Sequence, residues 1–389
     1  MKPHYPYGRQ WIDDSDIEAV TRCLRSDFLT QGPLIREFEE ALSARLNAPY
    51  ATMVSNGTAA LHLIGLALGW QPGDHVITSP ITFVASANAV LYTGATPEFV
   101  DIHPETYTLD PICLEKKVKE LLQSGKKVKA VVAVDYAGHP ADWKTLRALA
   151  DQYQFQLVDD ACHALGARMG AIEIGSAHFA DAAALSFHPV KHLTTGEGGA
   201  ILTQSPALDE KVKLLRTHGI TKNPDHMSAS EGPWYYEMQE LGFNYRITDF
   251  QCALGLNQLK KLDHSLARRN QIADFYDQAF AQDPRLILPK VLANTFHAYH
   301  LYPLQIQWSQ TKTDKIAFFE RLEAKGIFVQ VHYIPVYFQP YYQKNFLFKR
   351  GLCPEAELFY QREVSLPMHS LLNQEDLEYI VKEIRNSLS

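Results

Sequence analysis

The chain has 389 residues, too many for one ordinary core, so two domains or one large α/β domain with a smaller companion are expected. Hydrophobic residues make up 46% and charged residues 21%, which fits a soluble globular protein and excludes a disordered or membrane-embedded one. The net charge of −7 comes without any run of Lys and Arg, so no nucleic-acid face is expected and anionic ligands must rely on local devices such as helix N-termini.

The five cysteines are scattered and form no C-x-x-C. A disulfide frame or zinc cage is not expected, and a reducing, cytoplasmic setting is. The longest apolar stretch, 59–70, is interrupted by His62 and is too short to span a bilayer. The first residues, Met-Lys-Pro-His-Tyr-Pro-Tyr, show no apolar leader. No membrane partner is expected.

In residues 14–25, Ile17, Val20 and Leu24 share one helical face. Pro33 suits the first turn of a second helix, with Leu34, Phe38, Leu42 and Leu46 at a spacing of four. A turn at 28–33 joins the two. Strands are then expected at 50–54, 75–78, 98–101, 128–135, 155–159, 182–187 and 200–203. Helices are expected from 55 to 68, from about 82 to 92, at 143–152 and at 207–217. This alternation predicts an α/β fold with a mainly parallel sheet covered on both faces, and such sheets bind ligands at the carboxyl ends of their strands. After residue 262 the pattern changes. A long helix at 263–280 precedes strands at 302–308 and 328–332 and helices at 315–325 and 374–388. The expected division is a large α/β domain, 1–262, and a small α+β domain, 263–389.

Several motifs fall at strand ends. Ser55-Asn-Gly-Thr-Ala-Ala60 opens a helix just after a strand, where free N–H groups and the helix dipole favour a phosphate. An ordinary helix cap by Ser55 or Asn56 is the alternative. In Leu157-Val-Asp-Asp-Ala-Cys-His163, either acid could sit beside a ring nitrogen and keep it protonated, or could cap a helix. His163 could reach a ring oxygen. Ser186-Phe-His-Pro-Val-Lys191 places a candidate phosphate donor before a single lysine, and a Thr/Gly-rich loop follows. Small residues around one amine suit an aldehyde cofactor held as a Schiff base. Phe83, in Ser79-Pro-Ile-Thr-Phe83, could stack on a flat ring or pack in the core. Asn244 and Arg246 form a polar pair in an aromatic turn. The segment Gly326-Ile-Phe-Val-Gln-Val-His-Tyr333 is dense in aromatics and carries His332 and Tyr333. There is no G-x-G-x-x-G and no Walker loop, and His188 and His192 lack the glutamate of a zinc protease.

Taken in order, phosphate turn, aromatic, Asp-x-x-His, Ser-x-x-x-x-Lys and Asn-Tyr-Arg closely resemble the DegT/DnrJ/EryC1/StrS family of pyridoxal-phosphate-dependent nucleotide-sugar aminotransferases. The resemblance runs from Leu29-Thr-Gln-Gly-Pro33 to Ser365-Leu-Pro367. It implies fold type I of the pyridoxal-phosphate enzymes, with a seven-stranded sheet, and a homodimer with shared sites. It implies that Lys191 forms the internal aldimine, that Asp160 pairs with the pyridine nitrogen, and that His163 lies near the ring hydroxyl. Phe83 would stack on the ring. Gly57, Thr58, Ala59 and Ser186 would hold the phosphate, with Asn244 reaching it from the partner subunit. Candidate contacts to the sugar are Tyr7, Gln31, Tyr136, Arg246, His332 and Tyr333.

Within the family, Ser186–Lys191, Val134-Asp-Tyr-Ala-Gly138 and Gln330-Val-His-Tyr333 look most like the transaminases of pseudaminic acid synthesis. The implied reaction moves an amino group from L-glutamate, leaving 2-oxoglutarate, to C4 of a UDP-linked 4-keto-6-deoxy-N-acetylhexosamine. It would be ping-pong, through pyridoxamine phosphate. UDP-4-ketopentoses and dTDP- or GDP-linked 4-keto-6-deoxyhexoses stay open as substrates, as does a silent regulatory homologue. Dehydratase relatives carry histidine in place of the lysine; here Lys191 is present, with His192 beside it.

Overall fold

A computed structural model describes residues 4–389. Helix α1 (Asp14–Leu24) starts on a capping box in which Asp13 accepts from the N–H of Ser15 and Asp16, and the Asp16 side chain accepts from the N–H of Asp13. Helix α2 (Pro33–Leu46) begins on its proline and buries Phe38, Leu42 and Leu46, one stripe at a spacing of four.

The central sheet holds β1 (Tyr50–Val54), β2 (Asp74–Thr78), β3 (Thr96–Phe99), β4 (Lys127–Val134), β5 (Gln156–Asp160), β6 (Ala182–Ser186) and β7 (Gly199–Thr203). Its order is β1-β7-β6-β5-β4-β2-β3. The strands from β6 to β3 pair in parallel, and β7 runs antiparallel to both its neighbours. The mainly parallel seven-stranded sheet is the one expected. Connecting helices are α3 (Gly57–Ala67), α4 (Ala85–Tyr92), α5 (Pro111–Gln123), α6 (Trp143–Tyr153) and α7 (Pro206–Arg216). Helices α3, α4 and α7 cover one face; α2, α5 and α6 cover the other. Both faces are therefore dry, which is why the strands read as nearly continuous apolar runs.

The pleat decides which strand-end residues meet a ligand. On β5, Val158 packs with α3 and α4 while Leu157 packs in the opposite core. Asp160 therefore shares a face with Val158, and Asp159 shares one with Leu157. On β6, Ala182 and Ala184 lie on the α3–α4 face, and Ser186 follows the same alternation.

Helix α8 (Asp249–Leu259) packs on α1 and α2. Helix α9 (Leu262–Phe280) serves two cores. Leu262 and Leu266 join the large one; Ile272, Tyr276 and Phe280 join a second. That second core is completed by a three-stranded antiparallel sheet of β8 (Leu286–Ile287), β9 (Tyr302–Ile306) and β10 (Glu363–Leu366), and by α10 (Lys315–Ala324) and α13 (Gln374–Ser387). Helices α11 (Pro340–Phe346) and α12 (Pro354–Arg362) enclose an aromatic core with Phe99, Tyr107 and Tyr136. No described helix is long and apolar enough to cross a membrane.

The structure corrects the strand expected at 328–332. Only Ile327–Phe328 is a strand, paired with Tyr5–Pro6. Beyond it Gln330 bridges to Ser365, and the N–H of His332 turns to the Glu363 carboxyl group at 2.9 Å instead of to a neighbouring strand. A side chain thus replaces the ladder, and the segment bends into a cavity wall. Helices α5 and α12 were not anticipated, although both begin on a proline at the first turn.

Candidate active site

A cavity of about 950 Å³ opens at the carboxyl ends of β4, β5 and β6. Its wall includes Gly57, Thr58 and Ala59 of α3, Phe83 before α4, Asp160, Ser186 and Lys191. His163, Tyr7, His332 and Tyr333 complete the expected residues that reach it.

Lys191 sits in the loop after β6, with its Nζ 3.4 Å from His300 Nε2. Burial pulls its amine down to about 8, against Cys162 and the Asp160 carboxylate, with Arg269 adding to the fall. Asp160 accepts from Ser86 Oγ at 2.6 Å and from the N–H of Cys162 at 3.3 Å, so its carboxylate is held at the strand end. Asp159 faces the other way. It accepts from the N–H of Gly175 at 3.1 Å and meets Asp135, out of reach of the cavity. Of the two acids, Asp160 lines the cavity and Asp159 does not.

Asn56 caps α3 by accepting from the N–H of Ala59 at 2.8 Å. The turn is a helix cap and also lines the cavity. Ala59 spends its N–H on the cap. Among the described residues, the N–H groups of Gly57 and Thr58 have no protein acceptor. A Cβ on Gly57 would stand 3.0 Å from Ser186 Cβ and 3.1 Å from Cys162 Sγ, so a side chain there would crowd both neighbours. Phe83 is 58% exposed at the cavity rim, available to a ligand rather than spent in the core.

His163 Nδ1 accepts from the N–H of Ala137 at 3.3 Å. Burial, then Lys191, push its pKa well below the ordinary value, so the ring is neutral. Its single proton therefore sits on Nε2 and is donated to the Tyr333 hydroxyl oxygen at 3.1 Å. The Tyr333 hydroxyl proton is left free for another acceptor.

Other expected contacts are not brought together. Tyr136 is buried in the aromatic core and donates to the carbonyl of His332, so it supports the wall from behind rather than forming it. Gln31 is exposed and outside the wall, with φ of 54°. Asn244 is exposed and Arg246 half-buried, and neither lines this chain's cavity. Tyr245 between them does reach the wall. Ser86 and His300 went unnoticed in the sequence because neither lies in a motif, and only the packing of α4 and of the loop before β9 brings them in.

Residues 10–385 match the DegT/DnrJ/EryC1/StrS aminotransferase family. The chain belongs to that family. The UDP-4-amino-4,6-dideoxy-N-acetyl-beta-L-altrosamine transaminase of Campylobacter jejuni is 40% identical over 375 residues, covering 96% of this chain and 95% of that protein. Helicobacter pylori PseC, an aminotransferase involved in the biosynthesis of pseudoaminic acid, superposes with a TM-score of 0.89 at 33% identity over 99% of both chains. Spr1654 of Streptococcus pneumoniae, solved in a pyridoxal phosphate form, superposes with a TM-score of 0.90 at 29% identity, covering 99% of this chain and 98% of that one; it is also solved in a pyridoxamine phosphate form. Family and structural neighbours indicate pyridoxal phosphate as the cofactor. The residues fit it: a buried amine, a strand-end carboxylate and two unspent helix N–H groups border one cavity.

Proposed function

We propose that the chain moves an amino group from L-glutamate to C4 of a UDP-linked 4-keto-6-deoxy-N-acetylhexosamine, in two half-reactions at one site. The observation that carries this reading is Lys191, a buried amine pulled down to about 8 and standing in the cavity that Asp160 and the N-terminus of α3 also border. Identity of 40% to the Campylobacter jejuni transaminase supports the choice of sugar.

Bound pyridoxal phosphate supplies an aldehyde and a ring that accepts electrons. Gly57 and Thr58 offer N–H groups, and Thr58 and Ser186 hydroxyls, to its phosphate. Asp160, fixed by Ser86, would keep a ring nitrogen beside it protonated, because a carboxylate nearby favours the charged form. Phe83, exposed at the rim, would cover a ring face. Lys191 would hold the cofactor through its amine, and the same amine, when free, would serve as general base and acid for the proton on the substrate carbon. The lowered pKa keeps part of that amine unprotonated near neutral pH. Tyr7, His332 and Tyr333 meet the sugar, with the free Tyr333 proton available to one of its oxygens.

The site is shared in a homodimer, with Asn244 supplied by a second copy. Exposed Phe28, Leu29, Leu241 and Phe250, on the segments near Asn244, support this. Incubation with L-glutamate and a panel of nucleotide 4-keto sugars, read by product mass, tests the reaction. The UDP-linked N-acetylhexosamine is expected to be aminated fastest. Preference for a dTDP- or GDP-linked sugar overturns the substrate, and a fully active monomer in sedimentation overturns the shared site.

A further inference from the structure

The sugar end of the cavity contains a hydrogen-bonded chain that no motif announces. Glu363, on β10, is fully buried and bonds to Ser365 Oγ, and Ser365 Oγ bonds to His332 Nδ1 at 2.9 Å. The second carboxyl oxygen accepts from the N–H of His332 at 2.9 Å. His332 lines the cavity, with its ring 4.7 Å from that of Tyr7. Two residues apart on one strand, Glu363 and Ser365 point the same way, so β10 presents them as a pair.

Ser365 has one proton and two partners, so the chain has only two arrangements. When Glu363 is protonated, it donates to Ser365, Ser365 donates to His332 Nδ1, and His332 carries its proton on Nε2. When Glu363 is ionised, Ser365 donates to it, His332 Nδ1–H donates to Ser365, and Nε2 becomes a bare acceptor. His332 is neutral in both, since burial and then Lys191 hold its pKa down to about 3.

We propose that Glu363 and Ser365 are positioning residues that set the tautomer of His332, so that its Nε2–H donates to a carbonyl-type oxygen of the bound sugar. Naming a sugar as the acceptor rests on the aminotransferase reading above; the tautomer does not.

Burial favours the protonated arrangement at neutral pH, against the charge nearby. The cation acting on it is Lys315 of α10, which donates to the carbonyl of Tyr360 at 2.7 Å. Tyr107, Tyr136 and Tyr333 also face it, and burial raises the pKa of all three, so they stay neutral. Burial raises Glu363 to about 8, opposed by Ser365, Lys315 and the N–H of His332. Above that pH the chain reverses and the donor at Nε2 is lost.

Glu363→Gln separates this role from simple packing. The glutamine amide donates to Ser365 permanently, which locks the proton on His332 Nε2. In wild type the KM for the keto sugar is expected to rise about tenfold between pH 7 and pH 9.5, the effect of one lost hydrogen bond, with the KM for glutamate unmoved. In Glu363→Gln that rise disappears, whereas Ser365→Ala raises the sugar KM already at pH 7. Nitrogen NMR of labelled His332 in the holoenzyme reads the tautomer without any sugar. A proton on Nδ1 at pH 7, or an unchanged tautomer from pH 7 to 9.5, overturns the relay. A tautomer that reverses while the sugar KM stays flat leaves the relay standing and overturns its contact with the sugar. If no nucleotide keto sugar is turned over at all, it is the reaction reading that fails.

Discussion

Asp159 and Asp160 are adjacent and chemically identical, yet the pleat of β5 sends them to opposite faces of the sheet. On the cavity face, Asp160 is tied to Ser86 and a backbone N–H and shares its space with Lys191 and Ser186. On the core face, Asp159 lies against Asp135, and burial raises the pKa of both acids. The same residue type is placed for chemistry on one face and costs stability on the other. What separates them is one step of a period-two chain. If that division is right, changes on the cavity face should alter catalysis with little effect on folding. Changes on the core face should do the reverse.

The largest effect is expected from Lys191→Ala. Removing the amine would take away both the proposed cofactor attachment and the proposed proton carrier, so each half-reaction should slow by at least roughly a thousandfold. Single-turnover absorbance with glutamate and circular dichroism of the fold check this together; an active variant or an unfolded one would break the comparison. Asp160→Asn keeps the shape but removes the charge proposed to stand beside the ring nitrogen. A loss of about a hundredfold in kcat is expected in both half-reactions, with Tm nearly unchanged. Equal losses in both half-reactions mark a cofactor-facing group, whereas a loss with the sugar alone would move Asp160 to the other end of the cavity. Gly57→Ala is the gentler probe. Its new Cβ would stand 3.0 Å from Ser186 Cβ and 3.1 Å from Cys162 Sγ. Crowding the phosphate turn should weaken cofactor affinity about tenfold, one backbone contact's worth, measured by equilibrium titration of the apoprotein. Unchanged affinity would mean the phosphate lies elsewhere.

The sequence showed the cavity face more clearly than the core face, and the reason is local order. Gly57, Thr58, Ser186 and Lys191 stand within a few residues of a strand end, where a short motif carries the geometry with it. The sheet was legible for the same reason: apolar runs and turn residues alternate along the chain. Asp159 could not be told from Asp160 by spacing, because a one-residue uncertainty in strand register exchanges the faces. Tyr136, a candidate sugar contact, has its ring drawn into the aromatic core between Tyr107 and Phe359. Ser86, His300 and Glu363 belong to no motif, and Ser365 only opens the last one. They matter through partners 74, 109 and 33 residues distant in sequence, and such contacts are invisible until the chain is folded.

Asp159→Asn tests the core face, with the smallest expected effect on activity, within about twofold. Its consequence should appear in the pH dependence of stability. An unfolded aspartate titrates near about 3.9. Burial, partly offset by bonds from Asp159 and from Ala141 and Trp143, holds Asp135 up to about 7, while burial and Asp135 together hold Asp159 well above its usual range. Between those limits the folded chain binds more protons than the unfolded one, so stability falls as pH rises from about 4 through about 7. An asparagine at 159 cannot ionise, yet its side-chain oxygen can still accept from the N–H of Gly175. It removes one of the two titrations and the repulsion that accompanies it. Wild-type Tm should therefore drop more steeply than the variant's from pH 5 to pH 8, opening a gap of roughly a few degrees by scanning calorimetry. Parallel curves would show that the two acids do not share a proton, and a large loss of activity would show that the core face reaches the chemistry after all.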